Sequence, residues 1–556
     1  MFLQKNNLNK FKYNINLLRS WNALLNHNYQ AQAVVKLPCS VSQENTLIKH
    51  YDVVVVGSGL GGLVAGALAA RSGAKVIVFE RHSQVGGAAT KFIRGQFSID
   101  ASLHQIDGFN DADPKIGLFK RLGLFDHITL IPVPELYAVH HPLLGQFVMP
   151  SFANRNRDAV ISRFPAHKQA IHQWFDTLDC VYNGDSVSVR HAGSVGKFVK
   201  QLRTQWSLAC HKQHGLGKWL DSLFGDHEDI KIALCANLPY YGDDPDRLSM
   251  HYFAEAQSSF YQGNHYIRSG SGHLSDMLAN IIRNHGGEVQ CGQTVRQILV
   301  EKNRASGVVC SSPDGSARQE VSASLVFANA APMVVADMLP APERQIFNAT
   351  YSGFEPSTSL WCIYLQITGN PKDHGLLHHS TFIFPTWMTS LRHYRDAAPM
   401  LSLAPGQGLP PYVVVNHSAI DSGLSCNGTH LVTLTGLDRL SNWDVLDKRA
   451  YGIKKRQWMQ SLIHDFSERF AGIGERIVMR EMATARTMSR YLNTPNGAVY
   501  GFAQTPVKTG RVRPDVATPI KGLWLSSAFA MPGGGITGAM LAGQRAWYRA
   551  AAVATS

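Results

Sequence analysis

The 556-residue sequence contains eight cysteines, and no two of them stand at the two-residue spacing of zinc sites or dithiol redox sites. This scatter gives no disulfide framework and indicates a reducing compartment. The Asn-x-Ser/Thr tripeptides at Asn348, Asn416 and Asn427 are then expected to be chance matches, because glycosylation of that motif requires secretion.

Metal-binding patterns are missing as well. The adjacent pairs His140-His141 and His378-His379 invite a metal interpretation, but neighbouring side chains point apart. No carboxylate or cysteine pattern completes either site, so no metal is predicted.

The sequence has no uninterrupted apolar run of about 18 residues, so no transmembrane helix is predicted and any membrane contact would be peripheral. Residues 1–48 are basic and lack the compact apolar core of a signal peptide. They are interpreted as an organellar leader, an interfacial helix or a disordered extension. The predicted location is cytoplasmic, with membrane association or an organellar destination as alternatives.

Lysine and arginine exceed aspartate and glutamate by 53 to 40, which gives a formal net charge of +13. Such an excess suits nucleic acid, acidic substrates or an anionic membrane surface. The sequence shows no domain-scale basic run interleaved with aromatics and no nucleic-acid-binding motif, so no nucleic-acid partner is predicted. The charge is assigned instead to a membrane surface or to the substrate.

The region after residue 50 alternates strand and helix patterns around a cluster of glycines. Residues 51–56 (YDVVVV) are almost wholly apolar, as expected for a parallel strand covered on both faces. Residues 59–71 suit a helix packed closely on that sheet, and residues 75–79 form a second strand pattern. A strand, a glycine-rich turn, a helix and a strand within about 30 residues predict an α/β fold with a Rossmann-type dinucleotide-binding domain.

The turn that begins at Gly57 (GSGLGG) has a task for each glycine of the fingerprint. Gly57 permits the tight turn, Gly59 lets the backbone approach a pyrophosphate, and Gly62 lets the helix meet the strand. Free N–H groups at the start of the helix then bind the phosphates. Glu80 ends the second strand, where a carboxylate can accept hydrogen bonds from ribose hydroxyls.

Two further glycine segments decide between cofactors. The pair Gly86-Gly87 resembles the motif that lies along the FAD diphosphate in the large flavoprotein superfamily of amine oxidases and carotenoid desaturases. Residues 531–539 (MPGGGITGA) are interpreted as the other half of the site, because they lead into a helix whose positive N-terminal end would face the flavin ring. No second complete glycine fingerprint occurs, so a separate NADPH domain is not predicted.

Strand patterns return after long insertions, at residues 286–300, 323–331 and 522–526, and are assigned to the nucleotide domain. Two insertions rich in aromatic residues and histidine are predicted to form an interleaved α+β substrate domain. The predicted FAD-binding domain comprises residues 49–130, 261–335 and 481–550, and the predicted substrate domain comprises residues 131–260 and 336–480.

The sequence resembles the phytoene desaturase-like flavoproteins, which include bacterial carotenoid desaturases, plant-type carotenoid cis-trans isomerases and retinol saturases. The resemblance runs through most of the chain after residue 50. It is carried by Gly86-Gly87-Ala-Ala-Thr90, Phe97-Ser-Ile-Asp100 with His104, residues 266–274, residues 286–289, Ala328-Asn329-Ala330, Arg490-Tyr491 with residues 493–501, and residues 532–539.

This resemblance implies an FAD-dependent oxidoreductase, similar in fold to glutathione reductase and the amine oxidases. It would desaturate or saturate carbon–carbon bonds of a long apolar polyene or isoprenoid. A reduced-FAD-dependent carotenoid cis-trans isomerase is the first alternative, and an amine oxidase-like flavoprotein or a non-catalytic flavin-bound protein is the second.

The resemblance also implies that Val295 contacts the adenine through its backbone. Where relatives carry Gly followed by Asp or Ser before the last glycine run, this chain has Ser527-Ala528, and Ser527 is the replacement for the polar contact to the ribityl chain. The predicted cofactor contacts are Gly57, Gly59, Leu60, Gly61, Gly62, Glu80, Arg81, Gly86, Gly87, Ala88, Val295, Ser527, Gly534, Gly535 and Ile536.

Three residues in family-like motifs near these segments are candidates for acid–base or positioning roles: His104, Arg490 and Tyr500. Two basic amphipathic stretches, residues 197–206 and 216–224, suit either a lipid surface or a core helix with a solvated face.

Overall fold

The computed structural model describes residues 49–110, 113–182, 214–406 and 408–555. The interpretations given to residues 1–48 and to the basic stretch 197–206 lie outside these ranges. In chain order the strands of the described part are β1 (Lys49–Val56), β2 (Val76–Glu80), β3 (Lys91–Arg94), β4 (Phe97–Asp100), β5 (Ile106–Asp107), β6 (Leu130–Pro132), β7 (Glu135–His141), β8 (Gly145–Pro150), β9 (Asn264–Ile267), β10 (Glu288–Cys291), β11 (Thr294–Glu301), β12 (Arg304–Ser311), β13 (Arg318–Ala328), β14 (Ser359–Thr368), β15 (Ser380–Ile383), β16 (Tyr412–Asn416), β17 (Thr429–Asp438), β18 (Ile477–Ala483) and β19 (Leu523–Leu525).

Helices connect and cover these strands, and short 3-10 turns occur in several connections. In chain order the α-helices of the described part are α1 (Leu60–Arg71), α2 (Pro114–Leu122), α3 (Ala153–Arg163), α4 (Lys168–Tyr182), α5 (Leu216–Phe224), α6 (Glu228–Cys235), α7 (Met250–Gln262), α8 (Gly270–Asn284), α9 (Pro332–Asp337), α10 (Ala341–Tyr351), α11 (Tyr394–Met400), α12 (Lys448–Arg469), α13 (Ala485–Leu492) and α14 (Gly535–Thr555).

The first large sheet has the strand order β10-β2-β1-β13-β12-β11, and β19 pairs with the end of β13. Strands β10, β2, β1, β13 and β19 are mutually parallel, whereas β11 and β12 extend the sheet in antiparallel fashion. Helices α1 and α8 pack on each other beside this sheet, and α14 packs on α1. The predicted Rossmann-type α/β fold is confirmed.

Burial explains why β1 and α1 look apolar on every side. The valines of β1 have at most 4% of their surface exposed, as expected for a central parallel strand. All residues of α1 before Arg71 are buried, because α1 lies between the sheet and two other helices. The predicted strands at residues 286–300, 323–331 and 522–526 correspond to β10 with β11, β13 and β19.

The second large sheet has the order β18-β14-β17-β16-β15-β7-β8, with only β15 and β7 parallel among its neighbours. Its strands come from both long insertions. Helix α12 buries Trp458, Leu462 and Phe466 in a core shared with β14 and β17. Strand β18 crosses the predicted boundary at residue 481, and the domain boundaries themselves stay a prediction.

Helix α5 is a core helix. Leu216, Trp219 and Leu220 have 0% of their surface exposed, and the ring of Trp219 stacks on Trp174 of α4 with centroids 4.6 Å apart. No apolar face of α5 is left for lipid, so its interpretation as a membrane-surface helix is not supported. Of the helices that the structure describes, none combines the length and the hydrophobicity needed to cross a bilayer.

Candidate functional site

The glycine-rich turn after β1 leaves the N-terminus of α1 open. Gly57 has a φ of 90°, a left-handed conformation that favours glycine, and its N–H donates to the carbonyl of Phe79 on β2 at 2.8 Å. Gly59 is the N-cap of α1, and no side chain caps the helix. The N–H groups of the first turn are therefore suited to bind an anion.

The last two glycines of the turn serve packing. A Cβ atom on Gly61 would lie 1.7 Å from the carbonyl oxygen of Ser526, and one on Gly62 would lie 3.0 Å from Cγ1 of Val55 in β1. Neither glycine lines the large cavity described below, whereas Leu60 does. Gly61 and Gly62 were predicted to contact the cofactor, but in the structure they face neighbouring backbone and side chains. Their small size lets α1 lie against β1 and against the end of β19.

Glu80 holds the same turn from the end of β2. Its Oε2 atom accepts hydrogen bonds from the N–H and the hydroxyl of Ser58 at 2.9 and 2.7 Å, and its Oε1 atom accepts one from the N–H of His82 at 2.8 Å. A carboxylate has about four acceptor positions, so one remains for a further donor such as a ribose hydroxyl. Sequence analysis missed Ser58, which is the variable position inside the glycine fingerprint.

The second glycine pair lies directly against the first motif. The N–H of Gly86 donates to the carbonyl of Ser58 at 2.9 Å, and Gly59 and Gly86 form a parallel bridge. A Cβ atom on Gly87 would lie 3.2 Å from Cα of Gly59. Gly59, Gly86, Gly87 and Ala88 all line the cavity, so two stretches of backbone face it side by side.

Arg81 and Arg490 meet at the edge of the cavity. The Nη2 atom of Arg81 donates to the carbonyls of Arg490 and Tyr491, both at 2.6 Å, at the end of α13. The guanidinium of Arg490 itself is exposed and lies over the ring of Tyr491. An exposed guanidinium is poorly suited to transfer protons, so the structure does not support Arg490 as an acid or base.

The C-terminal glycine run faces the same cavity. Gly533, Gly534 and Gly535 have φ values of 82°, 74° and 58°, and α14 begins at Gly535. Gly534, Gly535 and Ile536 line the cavity, and space is open where a Cβ atom on Gly535 would stand. A second helix N-terminus therefore points its partial positive charge toward the cavity.

Ser527 and Val295 both line this cavity. The hydroxyl of Ser527 donates to the carbonyl of Ala330 at 2.9 Å, so the predicted replacement for a ribityl contact already has a protein acceptor. Val295 lines the cavity at the start of β11, and the N–H of nearby Gln293 donates to the carbonyl of Glu80 at 2.8 Å.

Asn329 lines the cavity, although it was not among the predicted cofactor contacts. It follows β13, and its side chain would lie 2.4 Å from a Cβ atom on Gly59. Its N–H donates to the carbonyl of Val56 at 2.9 Å. Its position could have been predicted from the sequence, because Asn329 follows a parallel strand and the carboxyl ends of neighbouring parallel strands meet at one edge of a sheet.

The cavity continues from these glycines toward the second sheet. Its volume is about 4130 Å³, compared with roughly 300 to 1000 Å³ for common ligand pockets. Apolar and aromatic side chains line the continuation, including Leu103, Tyr240, Tyr241, Tyr252, Phe260, Leu360, Tyr364, Phe382, Met482 and Tyr500. Burial raises the pKa of the Tyr252 phenol to about 12 and that of Tyr500 further, so both stay neutral near pH 7.

His104 stands in the wall of this continuation. Its Nδ1 atom lies 3.1 Å from the hydroxyl of Tyr240 and its Nε2 atom 3.5 Å from the hydroxyl of Thr435. Burial, with a smaller contribution from the neighbouring His379, lowers the pKa of His104 to about 3. The ring is therefore neutral at physiological pH and can both donate and accept a hydrogen bond.

The predicted histidine pairs have other partners. Nε2 of His141 lies 2.8 Å from the carbonyl of Met388, and Nδ1 of His378 lies 3.6 Å from the Glu135 carboxylate. Across the described ranges, no group of three His, Cys, Asp or Glu side chains is placed to hold a metal ion.

The chain is similar in sequence to several known proteins. A family model described as "NAD(P)-binding Rossmann-like domain" matches residues 55–122. A chloroplastic prolycopene isomerase of Daucus carota is 23% identical over 94% of this chain and 84% of its own length. An all-trans-retinol 13,14-reductase of Danio rerio is 24% identical over 88% of this chain and 85% of its own.

The chain is a distant homologue of prolycopene isomerases and all-trans-retinol 13,14-reductases over most of its length. The relatives thus include both isomerases and reductases. Another relative, pyridine nucleotide-disulfide oxidoreductase domain-containing protein 2 of Rattus norvegicus, is 23% identical over 92% of this chain and 96% of its own.

Solved structures show the same fold at lower identity. A putrescine oxidase double mutant superposes with a TM-score of 0.60 at 13% identity, covering 91% of this chain and all of its own. The cyclohexylamine oxidase of Brevibacterium oxydans IH-35A superposes with a TM-score of 0.54 at 14% identity, covering 91% of this chain and 98% of its own. The predicted likeness to the amine oxidase fold is thereby confirmed.

Proposed function

We propose that this chain binds FAD between the start of α1 and the start of α14 and acts on carbon–carbon bonds of a long apolar polyene or isoprenoid. The observation that carries the proposal is the single cavity that joins two glycine-lined helix N-termini to a wall of aromatic and apolar side chains. A cavity of this size has room for a dinucleotide and for an extended second molecule.

The residues present fit FAD. The uncapped N-terminus of α1 and the paired backbones at Gly59 and Gly87 suit a pyrophosphate, since a Cβ atom on Gly87 would lie 3.2 Å from Cα of Gly59 and push the two backbones apart. Glu80 retains an acceptor position for a ribose hydroxyl. Gly534 and Gly535 at the start of α14 suit the flavin end, where partial positive charge favours the reduced ring.

FAD would supply a ring that exchanges a hydride with a carbon of the substrate. The protein's own part is to position the substrate, to exclude water and to move a proton. His104 and Tyr240 are suited to the last task, because a neutral imidazole accepts a proton at one ring nitrogen while it donates one from the other, and the phenol 3.1 Å away extends this relay beside the cavity. Tyr500 lines the same wall and, as a neutral phenol, is suited to orient the substrate.

A second candidate function is cis-trans isomerisation with reduced FAD and no net redox change. It is supported by the prolycopene isomerases among the relatives, one of which aligns over 94% of this chain. Desaturation or saturation is supported by the all-trans-retinol 13,14-reductases. The two functions use the same cofactor site and differ in whether an electron acceptor or donor is consumed.

One experiment separates these functions. The FAD-loaded protein is incubated anaerobically with prolycopene or with all-trans-retinol, in the oxidised state with a quinone and in the dithionite-reduced state. Products are separated by chromatography, and consumed acceptor or donor is counted. Product with one acceptor or donor consumed per bond supports an oxidoreductase, and product with none consumed supports an isomerase.

The same experiment has outcomes that count against the proposal. Purified protein without flavin absorbance, even after reconstitution with FAD, would contradict FAD binding. Bound flavin that no polyene reduces or oxidises, together with no isomerised product, supports a non-catalytic flavin protein. Hydrogen peroxide produced from a diamine supports an amine oxidase.

A further inference from the structure

Arg513 lies buried behind the turn that starts α14. Only 3% of its surface is exposed. Its Nη1 atom donates to the carbonyl of Phe502 at 3.1 Å, and its Nη2 atom donates to the carbonyl of Ala528 at 2.9 Å. The side chain thus ties the segment around Phe502 to the segment around Ala528, which leads into the C-terminal glycine run.

The guanidinium group stands against Gly533. A Cβ atom on Gly533 would lie 2.1 Å from Nη2 and 2.2 Å from Cζ of Arg513, so only glycine can occupy that position beside the arginine. Gly533, Gly534 and Gly535 all line the cavity. This cation therefore stands directly behind the cavity wall where α14 begins.

The charge of Arg513 has no counter-charge in the described part of the chain. No carboxylate contributes to its electrostatic environment, and its Nε atom has no hydrogen-bond partner. Burial lowers the pKa of Arg513 to about 10, which leaves it protonated at neutral pH. Its polar neighbour Tyr252 is neutral, since burial raises the pKa of that phenol to about 12.

Burying a cation without a neighbouring anion costs free energy, because the cation loses its hydration. A negative charge that forms nearby is attracted strongly, since the buried surroundings screen the two charges weakly. Reduction of FAD takes up two electrons and one proton and leaves one negative charge on the ring. The N-terminus of α14 favours that charge in the same sense.

We infer that Arg513 is the buried counter-charge for the reduced cofactor and raises the reduction potential of the bound FAD. The inference rests on the proposed binding of FAD at the start of α14. Arg513 does not reach the cavity itself, so it is a positioning residue that acts through the Gly533–Gly535 turn and by its charge.

The test compares Arg513→Gln, which removes the charge, with Arg513→Lys, which keeps it. Arg247→Gln is the control, because Arg247 is exposed and pairs with Glu355 at the surface. The two-electron midpoint potential of each FAD-loaded protein is measured by dye equilibration during reductive titration. For Arg513→Gln we expect the equilibrium constant for reduction to fall by about tenfold or more, which is about 30 mV.

Arg513→Lys and Arg247→Gln should keep a potential close to that of the wild type. An unchanged potential in FAD-loaded Arg513→Gln overturns the inference, as does an equal fall in Arg513→Lys, which would assign the effect to the lost hydrogen bonds. A wild-type protein that binds no FAD would instead contradict the proposed function.

Sulfite supplies a second measurement, and its wild-type arm needs no variant. Its sulfur adds to the oxidised flavin and leaves the added negative charge on the ring, so a nearby cation tightens binding. The FAD-loaded wild type should bleach with sulfite, and Arg513→Gln should bind sulfite about tenfold more weakly, in step with its potential. A flavin-loaded wild type that forms no adduct also overturns the inference, even where Arg513→Gln does not retain FAD.

Discussion

The Nδ1 atom of His104 lies 3.1 Å from the hydroxyl oxygen of Tyr240, although the two residues are 136 positions apart in the chain. Both side chains line the cavity, and the ring of His104 is neutral. We expect Tyr240→Phe to lower the turnover of the identified substrate by about a hundredfold, the common contribution of one acid–base group. Flavin content should not change.

Tyr394→Phe is the matched control for this prediction. Tyr394 also lines the cavity, but its hydroxyl donates to the carbonyl of Ala236 at 2.7 Å and contacts no histidine. Equal turnover in the two variants, measured with the same flavin content, would show that the hydroxyl of Tyr240 has no special role.

His104 also predicts how stability depends on pH. Burial lowers its pKa to about 3 in the folded protein, whereas the unfolded chain keeps the ordinary histidine pKa of 6.5. Below pH 6.5 the unfolded chain binds a proton that the folded protein excludes, so stability falls as the pH drops toward 3. The loss is at most about 1.4 kcal/mol per pH unit for one such histidine.

Burial lowers the pKa values of His379 and His417 in the same sense, so these two histidines add to the slope. This slope is measured by determining the free energy of unfolding from urea titrations at several pH values between 3 and 6.5. In His104→Gln the slope should decrease by about one proton. A variant with the wild-type slope would show that His104 is not protonated on unfolding.

Gly87 and Gly95 form a natural pair for testing the cofactor cradle. Their φ values are 60° and 58°, so alanine costs about 1 to 2 kcal/mol of backbone strain at either position. A Cβ atom on Gly87 would lie 3.2 Å from Cα of Gly59, whereas one on Gly95 would meet nothing within 4 Å. Only Gly87→Ala should therefore lose affinity for FAD.

Fluorescence titration of the apoprotein with FAD gives both dissociation constants. We expect Gly87→Ala to bind at least about tenfold more weakly, because even a small shift of the two glycine backbones breaks their alignment with the phosphates. Equal weakening in both variants would assign the effect to backbone strain.

Lys115 predicts a large effect on stability. It is 1% exposed, and its Nζ atom lies 2.8 Å from Asp113 and 3.3 Å from Asp107, which in turn accepts a hydrogen bond from Thr537 in the first turn of α14. Lys115→Met leaves two buried carboxylates without their cation and should cost about 3 to 5 kcal/mol.

The exposed pair Arg247–Glu355 is the control for Lys115, and Arg247→Ala should cost about 0 to 1 kcal/mol. Chemical denaturation of all three proteins measures the difference. A cost below about 1 kcal/mol for Lys115→Met would show that the buried ion pairs of Lys115 do not stabilise the fold.

The nucleotide-binding half could be predicted from the sequence because its signals are local. Residues 57–62 and Glu80 lie within one strand, turn, helix and strand unit, whose geometry requires those residue types. The Gly86-Gly87 pair follows closely after Glu80. The strands β10, β13 and β19 were predictable from strand-forming residues that are bounded by glycine or alanine, although the antiparallel hairpin of β11 and β12 was not.

The β11–β12 hairpin and the aromatic wall of the cavity could not be predicted, because no local sequence pattern specifies them. The hairpin turns at Lys302 and Asn303, whose φ values are 48° and 60°, in place of the Asn-Gly that signals such turns. The partners of His104, Ser527 and Arg513 come from distant segments. That Arg513 is buried without a neighbouring carboxylate can be recognised only in the folded structure, because its surroundings come from distant segments.

The pairing of β19 with β13 has a consequence for how this protein folds. Strand β19 and helix α14 are the last elements in chain order, yet β19 completes one edge of β13 and α14 covers α1 near the opposite end of the chain. During synthesis the edge of β13 and one face of α1 stay uncovered until the ribosome has released residues 523–555. Such long-range closure slows folding and exposes the nascent chain to aggregation, so chaperones that shield apolar surface should bind it during this interval.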